Sequence, residues 1–311
     1  MEEFRFDGRT AIVTGAGGKP GLGRAHAMLL AARGANVVVN DIGRIDAPNY
    51  TGDASAEAVA QEIRALGGNA VADTHSVATE RGAAAVIDTA IEAFGGVDIL
   101  VNNAGISIAA AFDEMSAADV QRHIDINLMG TVWMCRAAWP HMRQQGYGRI
   151  VNTGSGAFTG MWALAMYGAA KGGIFSLTRA LAVEGQPLGI KVNTVLPGAY
   201  TRMVHAQRQE SSDLYQYAQQ NLPAELAAPA VAFLAHEACP VTGESLEAVG
   251  GVVRRVYVAQ SEGIADRDIT VEKIAANWGQ VMGSPRDTVI GLGGVESEAD
   301  IRPYTATGRG E

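Results

Sequence analysis

The chain has 311 residues, of which 48% are hydrophobic, and it carries a formal net charge of −9. This length allows one large α/β core, so we expect a single domain with an extension. The acidic balance argues against a nucleic-acid partner or an anionic membrane surface, because both would require a basic face. Cys135 and Cys239 are far apart and lack metal-ligand spacing, so the sequence predicts neither a disulfide framework nor a metal site.

Targeting signals are not evident in the sequence. Residues 1–6 lack the basic and apolar regions of a secretory signal, and no run approaches the roughly 18 apolar residues of a membrane span. Residues 307–311 match no recognised address. We therefore expect a soluble, cytoplasmic protein that does not bind membranes and whose cysteines are reduced.

Short β-type runs alternate with longer helical patterns along the chain. The predicted strands are residues 10–14, 36–40, 70–74, 99–102, 149–153 and 191–196. This alternation predicts an α/β fold with a doubly wound parallel sheet, the Rossmann fold, with helices on both faces and right-handed crossovers. Ligands of such a sheet bind beyond the carboxyl ends of the strands, and the candidate site residues all fall there.

A glycine-rich loop follows the first predicted strand and opens an alanine-rich helix. Glycines let the backbone approach a pyrophosphate, and the helix N-terminus offers free amide groups and a partial positive charge to phosphates. Alternatively, the glycine-rich turn could have a role only in backbone packing and bind no cofactor. The candidate cofactor-binding residues in this loop are Thr14, Gly15, Gly17, Gly21, Leu22 and Gly23.

Asp41 ends the second predicted strand, eighteen residues after Gly23. This is close to the spacing of the carboxylate that accepts hydrogen bonds from the adenosine ribose. A carboxylate there would repel the 2′-phosphate of NADP, so the sequence favours NAD, although Lys19 and Arg44 could support NADP instead. Residues 102–105, Asn-Asn-Ala-Gly, close the fourth strand, where they could face the nicotinamide riboside or serve only as a turn.

Tyr167 and Lys171 are four residues apart on a predicted helix and therefore share one face. An adjacent ammonium group would lower the pKa of the phenol from about 10, which suits proton transfer to or from a substrate oxygen. The pair alone could equally be a packed tyrosine and a solvated lysine. Ser155 lies just after the fifth predicted strand. Its position favours the catalytic interpretation of the pair, because two hydroxyl groups could then hold one substrate oxygen.

Taken in chain order, the Thr-Gly-rich loop, Asn-Asn-Ala-Gly, an asparagine, a serine and Tyr-x-x-x-Lys resemble the short-chain dehydrogenase/reductase family over about residues 10–250. A narrower likeness to the hydroxyacyl-CoA dehydrogenase units of multifunctional β-oxidation enzymes is carried by residues 38–43, 137–139, 237–239 and 247–250. The resemblance implies an NAD-dependent oxidoreductase that interconverts a secondary alcohol and a ketone. It also implies a 3-hydroxyacyl-CoA or hydroxysteroid-type lipid substrate and a homodimer or homotetramer.

The same resemblance implies a role for each site residue. Tyr167 would be the catalytic acid and base, while Lys171 would lower its pKa and bind the nicotinamide ribose. Ser155 would orient the substrate oxygen, and Asn127 would anchor a proton-relay water. Further cofactor contacts are implied for Ser76 and Val77 near the adenine, for Asn103, Ala104 and Gly105 by the ribose, and for Pro197, Gly198 and Thr201 around the carboxamide.

Three departures from the family pattern accompany the resemblance. Lys19 and Pro20 look inserted in the glycine loop and so alter its expected path around the pyrophosphate. Ser155 precedes Tyr167 by twelve residues rather than the usual thirteen, which a one-residue deletion in the intervening loop would explain. His75 stands where relatives often carry aspartate, and we assign it no role.

Residues 1–250 are predicted to hold the cofactor site and the substrate cleft, and residues 251–311 to form an extension that covers the cleft or joins subunits. Within the first part, the polar residues 201–223 are predicted to be a mobile segment over the cleft.

Two other functions stay open. One is an NADPH-dependent carbonyl or 3-oxoacyl reductase, and the other is a catalytically silent dinucleotide sensor or scaffold.

Overall fold

The apolar runs predicted as strands form the sheet of the computed structural model, which describes residues 3–43, 55–201, 213–283 and 288–289. The strands of this sheet are β1 (Thr10–Thr14), β2 (Asn36–Asn40), β3 (Asn69–Asp73), β4 (Ile99–Asn102), β5 (Gly148–Thr153), β6 (Ile190–Gly198), β7 (Ser245–Val249) and β8 (Val252–Val256). Their order is β3-β2-β1-β4-β5-β6-β7-β8, and strands β3 through β7 pair in parallel. The predicted doubly wound parallel sheet is therefore confirmed.

Helices cover both faces of this sheet. They are α1 (Leu22–Ala32), α2 (Ala56–Ala65), α3 (Glu80–Phe94), α4 (Ala117–His123), α5 (Gly130–Gln145), α6 (Ala165–Gly185), α7 (Asp213–Asn221) and α8 (Ala228–Ala235). Helices α1, α2 and α8 pack on one face, and α3, α5 and α6 pack on the other. The central strands β1, β4 and β5 are consequently buried along their whole length, which explains why they are nearly continuous apolar runs.

Short polar side chains start the helices that return the chain between strands. Ser55, Thr79 and Ser116 are the N-caps of α2, α3 and α4, and each side chain accepts a hydrogen bond from an amide of the first turn. Such a cap stabilises a helix by about 1 kcal/mol. The caps therefore define where each helix begins and hence how the chain leaves the carboxyl edge of the sheet.

The chain divides into two compact units, residues 1–255 and 256–311. In the second unit, β9 (Ala259–Gln260) pairs antiparallel with β10 (Thr288–Val289), and helices α9 (Val271–Ala276) and α10 (Trp278–Val281) lie between them in sequence. The functional division that the sequence suggests at residue 250 stays a prediction.

Part of the predicted mobile segment, residues 202–212, lies outside the described residues. Within the described part, residues 213–221 form α7. Across the described portion of the chain, none of the helices is both long and apolar enough to span a membrane.

Candidate active site

The loop that follows β1 lies directly against the loop that follows β4. Gly15 has a φ of +64°, and a Cβ atom there would lie 2.7 Å from Ala104 Cα. A side chain at Gly23 would meet the Gly15 carbonyl group and Asn103. Glycine is required at both positions, because the backbones touch and the positive φ of Gly15 strains other residues. The predicted glycines therefore join β1, β4 and the start of α1 at one edge.

Thr14 and Asn103 fasten these two loops together. The Thr14 hydroxyl oxygen accepts hydrogen bonds from the Asn103 and Ala104 amides, both at 3.0 Å. Asn103 Nδ2 donates to the carbonyl groups of Thr14 at 2.9 Å and Gly15 at 3.0 Å. In the structure Asn103 thus supports the glycine loop, and its expected contact with the cofactor ribose stays a prediction.

Helix α1 begins at the end of the glycine loop. Its N-cap is Gly21, which has no side chain to accept from the first-turn amides, and the first turn carries no acidic residue. The amides and the helix dipole at this end therefore favour an anion. Because backbone donors and glycines converge here, the site fits the pyrophosphate of a dinucleotide.

The two inserted residues of the glycine loop, Lys19 and Pro20, are exposed. The pKa of Glu62 on α2 is lowered by a hydrogen bond from Arg24 and, to a smaller extent, by the charge of Lys19. The insertion therefore lies on the side of α2. A Cβ atom at Gly21 would lie 2.6 Å from a carbonyl oxygen of the same loop, so the chain turns back tightly before α1 begins.

Asp41 lies at the carboxyl end of β2, beside the glycine loop. Its Oδ2 accepts a hydrogen bond from the Gly17 amide and its Oδ1 from the Gly43 amide, both at 2.9 Å. The carboxylate is held in place by these bonds, and each oxygen keeps a lone-pair direction for a further donor. Arg44, the alternative support for NADP, lies outside the described residues.

The other predicted cofactor residues lie at the same edge of the sheet. Ser76 and Val77 follow β3, and Val77 is buried. Pro197 and Gly198 end β6, where they pair with β7, and Thr201 follows shortly after. The fold thus places these residues where ligands of a doubly wound sheet bind, and their individual contacts stay predictions.

Strand β5 and helix α6 bring Ser155 and Tyr167 together. Ser155 Oγ accepts from the Ala157 amide at 3.2 Å and so begins a 3₁₀ turn at Gly156–Thr159. Ser155 also lies close enough to the Tyr167 hydroxyl group to lower the pKa of the phenol. Ser155, and not the preceding Gly154, therefore meets the tyrosine, even though the spacing between the two residues is one shorter than the family pattern.

Lys171 lies one turn beyond the tyrosine on α6. Its Nζ donates to the Thr153 carbonyl group at 2.6 Å and is 5.7 Å from the centre of the Tyr167 ring. The side chain is buried, and burial lowers the pKa of the ammonium group to about 8. At neutral pH most molecules therefore still carry a positive charge at this position.

The surroundings of Tyr167 shift the pKa of its phenol. Burial raises this pKa above its ordinary value, and the interaction with Ser155 only partly opposes the rise. The ammonium group of Lys171 bonds to the Thr153 carbonyl. The lowering of the phenol pKa by Lys171, which the sequence implies, stays a prediction.

Asn127 lies in a π-helical turn, Ile124–Met129, between α4 and α5. Its side chain is buried, with Oδ1 accepting from the Ile106 amide at 2.8 Å and Nδ2 donating to the Ile106 carbonyl at 2.9 Å. Its own carbonyl group accepts from the Thr131 hydroxyl at 2.9 Å. Asn127 therefore anchors the loop after β4, and its expected role in holding a water stays a prediction.

Buried polar side chains connect the strands behind the site. Asn102 Nδ2 donates to Asn152 Oδ1, and Asn152 Nδ2 donates to the Thr178 hydroxyl on α6, both at 2.9 Å. The Thr194 hydroxyl donates to Thr178 at 2.9 Å. This network ties β4, β5 and β6 to the helix that carries Tyr167, so it limits movement of the tyrosine relative to the sheet.

Sequence reasoning missed His123, the last residue of α4. Its side chain is fully buried, and its ring centre is 6.5 Å from that of Tyr167. A lone histidine in a helical pattern gives no functional indication. The sequence feature that could have indicated His123 is its spacing of four residues from Asn127. Among the described residues, no group of three or more His, Cys, Asp or Glu side chains could hold a metal ion.

The fold, the glycine loop and the Ser-Tyr-Lys group define a nicotinamide-dinucleotide oxidoreductase. The family model described as short chain dehydrogenase matches residues 9–212. The chain belongs to this short-chain dehydrogenase/reductase family, whose enzymes act on CH-OH groups of small molecules with a nicotinamide dinucleotide. The recognition made from the motifs is confirmed.

Two relatives illustrate the similarity within the family. A short-chain type dehydrogenase/reductase of Mycobacterium tuberculosis is 40% identical over 275 residues, which cover 88% of this chain and 93% of that protein. Peroxisomal multifunctional enzyme type 2 of Drosophila melanogaster is 38% identical over 285 residues, which cover 90% of this chain and 46% of that protein. The chain thus spans about half the length of the multifunctional enzyme, and the predicted likeness to such enzymes is confirmed.

Solved structures agree with this assignment. A short chain dehydrogenase from Mycobacterium avium superposes with a TM-score of 0.77 at 36% identity, covering 93% of this chain and 99% of that one. A 7α-hydroxysteroid dehydrogenase complexed with NADH and 7-oxo glycochenodeoxycholic acid gives a TM-score of 0.70 at 33% identity, covering 79% and 95%. Both similarities extend well beyond the cofactor loop.

Proposed function

We propose that this chain is an NAD-dependent oxidoreductase that interconverts a secondary alcohol and a ketone on a 3-hydroxyacyl-CoA or hydroxysteroid-type lipid. The observation that carries the proposal is the position of Ser155 beside the Tyr167 hydroxyl group, one helical turn from the buried ammonium group of Lys171. Two hydroxyl groups that meet at one point can hold the same substrate oxygen. A neighbouring positive charge then favours the phenolate when the tyrosine gives up its proton.

The proposed reaction assigns one task to each side chain. In the reducing direction Tyr167 donates its phenolic proton to the carbonyl oxygen, and in the oxidising direction its phenolate accepts the hydroxyl proton. Ser155 hydrogen-bonds the same oxygen in both directions. Lys171 remains mostly charged at neutral pH because its pKa is about 8. When bound, the nicotinamide supplies or accepts the hydride that balances the reaction.

Tyr167→Phe tests the proton-transfer assignment. It retains the ring and removes the hydroxyl group, so we expect kcat to fall by roughly 10² to 10⁴ while the affinity for NADH changes less than about threefold. Tyr147→Phe is the matched control, because Tyr147 lies just before β5 at the opposite end of the strand and its ring contacts the guanidinium groups of Arg9 and Arg149. A Tyr167→Phe rate close to that of wild type would contradict the assignment.

The preference for NAD is supported by the fixed carboxylate of Asp41. A 2′-phosphate beside it would face a like charge, so we expect NADH to bind at least about tenfold more tightly than NADPH. Asp41→Asn removes the charge and should narrow this ratio, whereas Asp88→Asn on the exposed face of α3 should leave it unchanged. Fluorescence titration with both reduced cofactors measures the ratio. Tighter binding of NADPH by the wild type would favour the reductase alternative.

The lipid-type substrate is supported by two independent features. Met161 and Trp162 lie between Ser155 and Tyr167 in sequence and are 53% and 89% exposed, so the loop that joins the two reacting groups presents apolar surface. Among the relatives are a peroxisomal multifunctional enzyme and hydroxysteroid dehydrogenases. A panel of 3-hydroxyacyl-CoAs and hydroxysteroids, followed through the absorbance of reduced nicotinamide, tests the substrate class. Activity confined to small polar alcohols would contradict it.

The same panel separates an enzyme from a silent sensor. Tight NADH binding with no turnover of any panel member would favour a dinucleotide sensor or scaffold.

We also propose that the chain forms a homodimer or homotetramer. This is supported by Val252 and Val253 of the edge strand β8, which are 47% and 52% exposed. Light scattering after size-exclusion chromatography measures the assembly, and a monomer at micromolar concentration would contradict this part.

A further inference from the structure

The loop that follows β4, residues 103–111, borders the candidate active site, and we name it the wall loop. It begins against the glycine loop, and a Cβ atom at Gly105 would lie 3.7 Å from Lys171 Nζ. Further along, the Ala110 amide donates to the Ala163 carbonyl at 3.0 Å, just before α6 begins. The wall loop therefore runs from the cofactor cradle to the start of the helix that carries the tyrosine.

His123 is bonded to this loop from inside the protein. Its side chain has no solvent exposure. Its Nε2 is 3.1 Å from the Ile108 amide nitrogen, and its Nδ1 is 2.8 Å from the Asp119 carbonyl oxygen. The imidazole also meets the Tyr167 ring in an edge arrangement, with the ring planes at 69°. One buried side chain thus contacts both the wall loop and the catalytic tyrosine.

The two partners of His123 define which ring nitrogen donates and which accepts. The Ile108 amide can only donate, so Nε2 accepts, and the Asp119 carbonyl can only accept, so Nδ1 carries the hydrogen. A side chain without an acceptor at the Nε2 position would leave the Ile108 amide without this partner.

The π-helical turn places a second anchor beside the first. His123 ends α4, and Asn127 lies four residues later inside Ile124–Met129. Residues four apart on a helical segment lie on nearly the same face. His123 bonds Ile108 and Asn127 bonds Ile106, so two buried side chains of one helical segment hold alternate residues of the wall loop.

We propose that His123 is a positioning residue for the reaction. By accepting from the Ile108 amide, it holds the wall loop at the spacing from Tyr167 that directs the substrate oxygen to the tyrosine and to Ser155. It acts through the loop and takes no part in proton transfer. Its kinetic effect rests on the proposed function, whereas its effect on the mobility of the loop does not.

Two substitutions separate the hydrogen bond from the ring contact. His123→Gln can present an amide oxygen near the Nε2 position and so keep the bond to Ile108 while losing the ring. His123→Phe keeps a ring against Tyr167 and loses the acceptor. We expect His123→Phe to raise amide hydrogen exchange of residues 103–111 about tenfold, and His123→Gln to raise it less than about twofold, because one buried hydrogen bond separates the two variants.

Kinetics with the best substrate of the panel should follow the same order. His123→Phe should lower kcat about tenfold with KM within about threefold of wild type, because a misdirected substrate oxygen still binds but reacts more slowly, and His123→Gln should stay near wild type in both. Affinity for NADH should not change in either variant, because the glycine loop and Lys171 are untouched. If His123 merely stabilised the fold, both substitutions would lower the melting temperature without changing kcat and KM by different factors.

The opposite order, with His123→Gln impaired and His123→Phe normal in both measurements, would overturn the proposal in favour of ring packing. Equal losses in both variants with a uniform rise in exchange across α4 and α6 would also overturn it, in favour of general stabilisation. If the exchange pattern appears but no panel member is turned over, the proposed function fails while the anchoring of the wall loop by His123 is supported.

Discussion

The charge of Lys171 should cost the folded protein a measurable free energy. Burial lowers its pKa from 10.5 to about 8. Because one pH unit corresponds to about 1.4 kcal/mol, keeping this ammonium group charged below pH 8 costs the folded state roughly 3 kcal/mol. Between the two pKa values the unfolded chain holds the proton and the folded chain does not, so the free energy of unfolding rises with pH in this window.

Lys171→Met removes this titration and keeps a side chain of similar length. The Thr153 carbonyl loses its donor, which costs about 1 to 3 kcal/mol and offsets much of the gain at pH 7. The decisive quantity is therefore the pH dependence. From pH 7.5 to 9.5, the free energy of unfolding of the wild type should rise by about 2 kcal/mol relative to that of Lys171→Met.

Urea unfolding followed by circular dichroism at several pH values measures this difference, because effects of other titrating groups are shared by both proteins. Lys273→Met is the control, since the Lys273 side chain is 45% exposed, and its curve should stay parallel to that of the wild type. Parallel curves for wild type and Lys171→Met would refute the reasoning. They would show that the ammonium group is solvated in the folded protein.

Four further substitutions, of which Gly67→Ala is a control, test the packing of the fold by urea unfolding. Gly15→Ala should destabilise the fold by about 2 to 4 kcal/mol, and Gly67→Ala by only about 1, because a Cβ atom at Gly67 meets nothing within 4 Å while both share a positive φ. Thr178→Val removes the acceptor of Asn152 Nδ2 and should cost about 1 to 3 kcal/mol. Burial lowers the pKa of His26 to about 4. The unfolded chain binds its proton near pH 6.5, so the wild type should lose roughly 3 kcal/mol relative to His26→Leu between pH 7 and 4. The first prediction is contradicted if both glycine substitutions lower the free energy of unfolding equally, and the second if Thr178→Val leaves that free energy unchanged. The third is contradicted if the difference in free energy between wild type and His26→Leu does not change with pH.

The predicted strands agree closely with β1 to β6. Except for the edge strand β3, they are central parallel strands that are largely buried and are bounded by turn residues. β7 was not predicted. Its sequence, Ser-Leu-Glu-Ala-Val, contains a charge, and only Ser245 and Ala248 are buried while the other three residues are half-buried, because the strand lies towards the edge of the sheet. A five-residue run of that kind does not differ from a loop in periodicity, so only its pairing with β6 identifies it as a strand.

The site was predictable where its geometry is local. The shared face of Tyr167 and Lys171 follows from a spacing of four on one helix, and Asp41 follows from its distance to the glycine loop. The direction of the Tyr167 pKa shift was not predictable, because it depends on how deeply α6 buries the phenol and on where the lysine finds its acceptor. That acceptor, the Thr153 carbonyl, belongs to another element. The bonds of His123 to the wall loop are likewise tertiary and have no counterpart in the sequence pattern.

The short spacing between Ser155 and Tyr167 is tolerated for a structural reason. Thr153 on β5 and Ser155 just beyond it contact Lys171 and Tyr167, so one strand end positions both groups of α6. The register of β5 is fixed by pairing with β4 and β6, and the Asn152 bond to Thr178 holds α6 against it. The contacts therefore depend on the sheet and the helix and not on the length of the loop between them. A residue deleted from that loop changes a segment in which Met161 and Trp162 are exposed, and it leaves the contacts between the strand end and α6 in place.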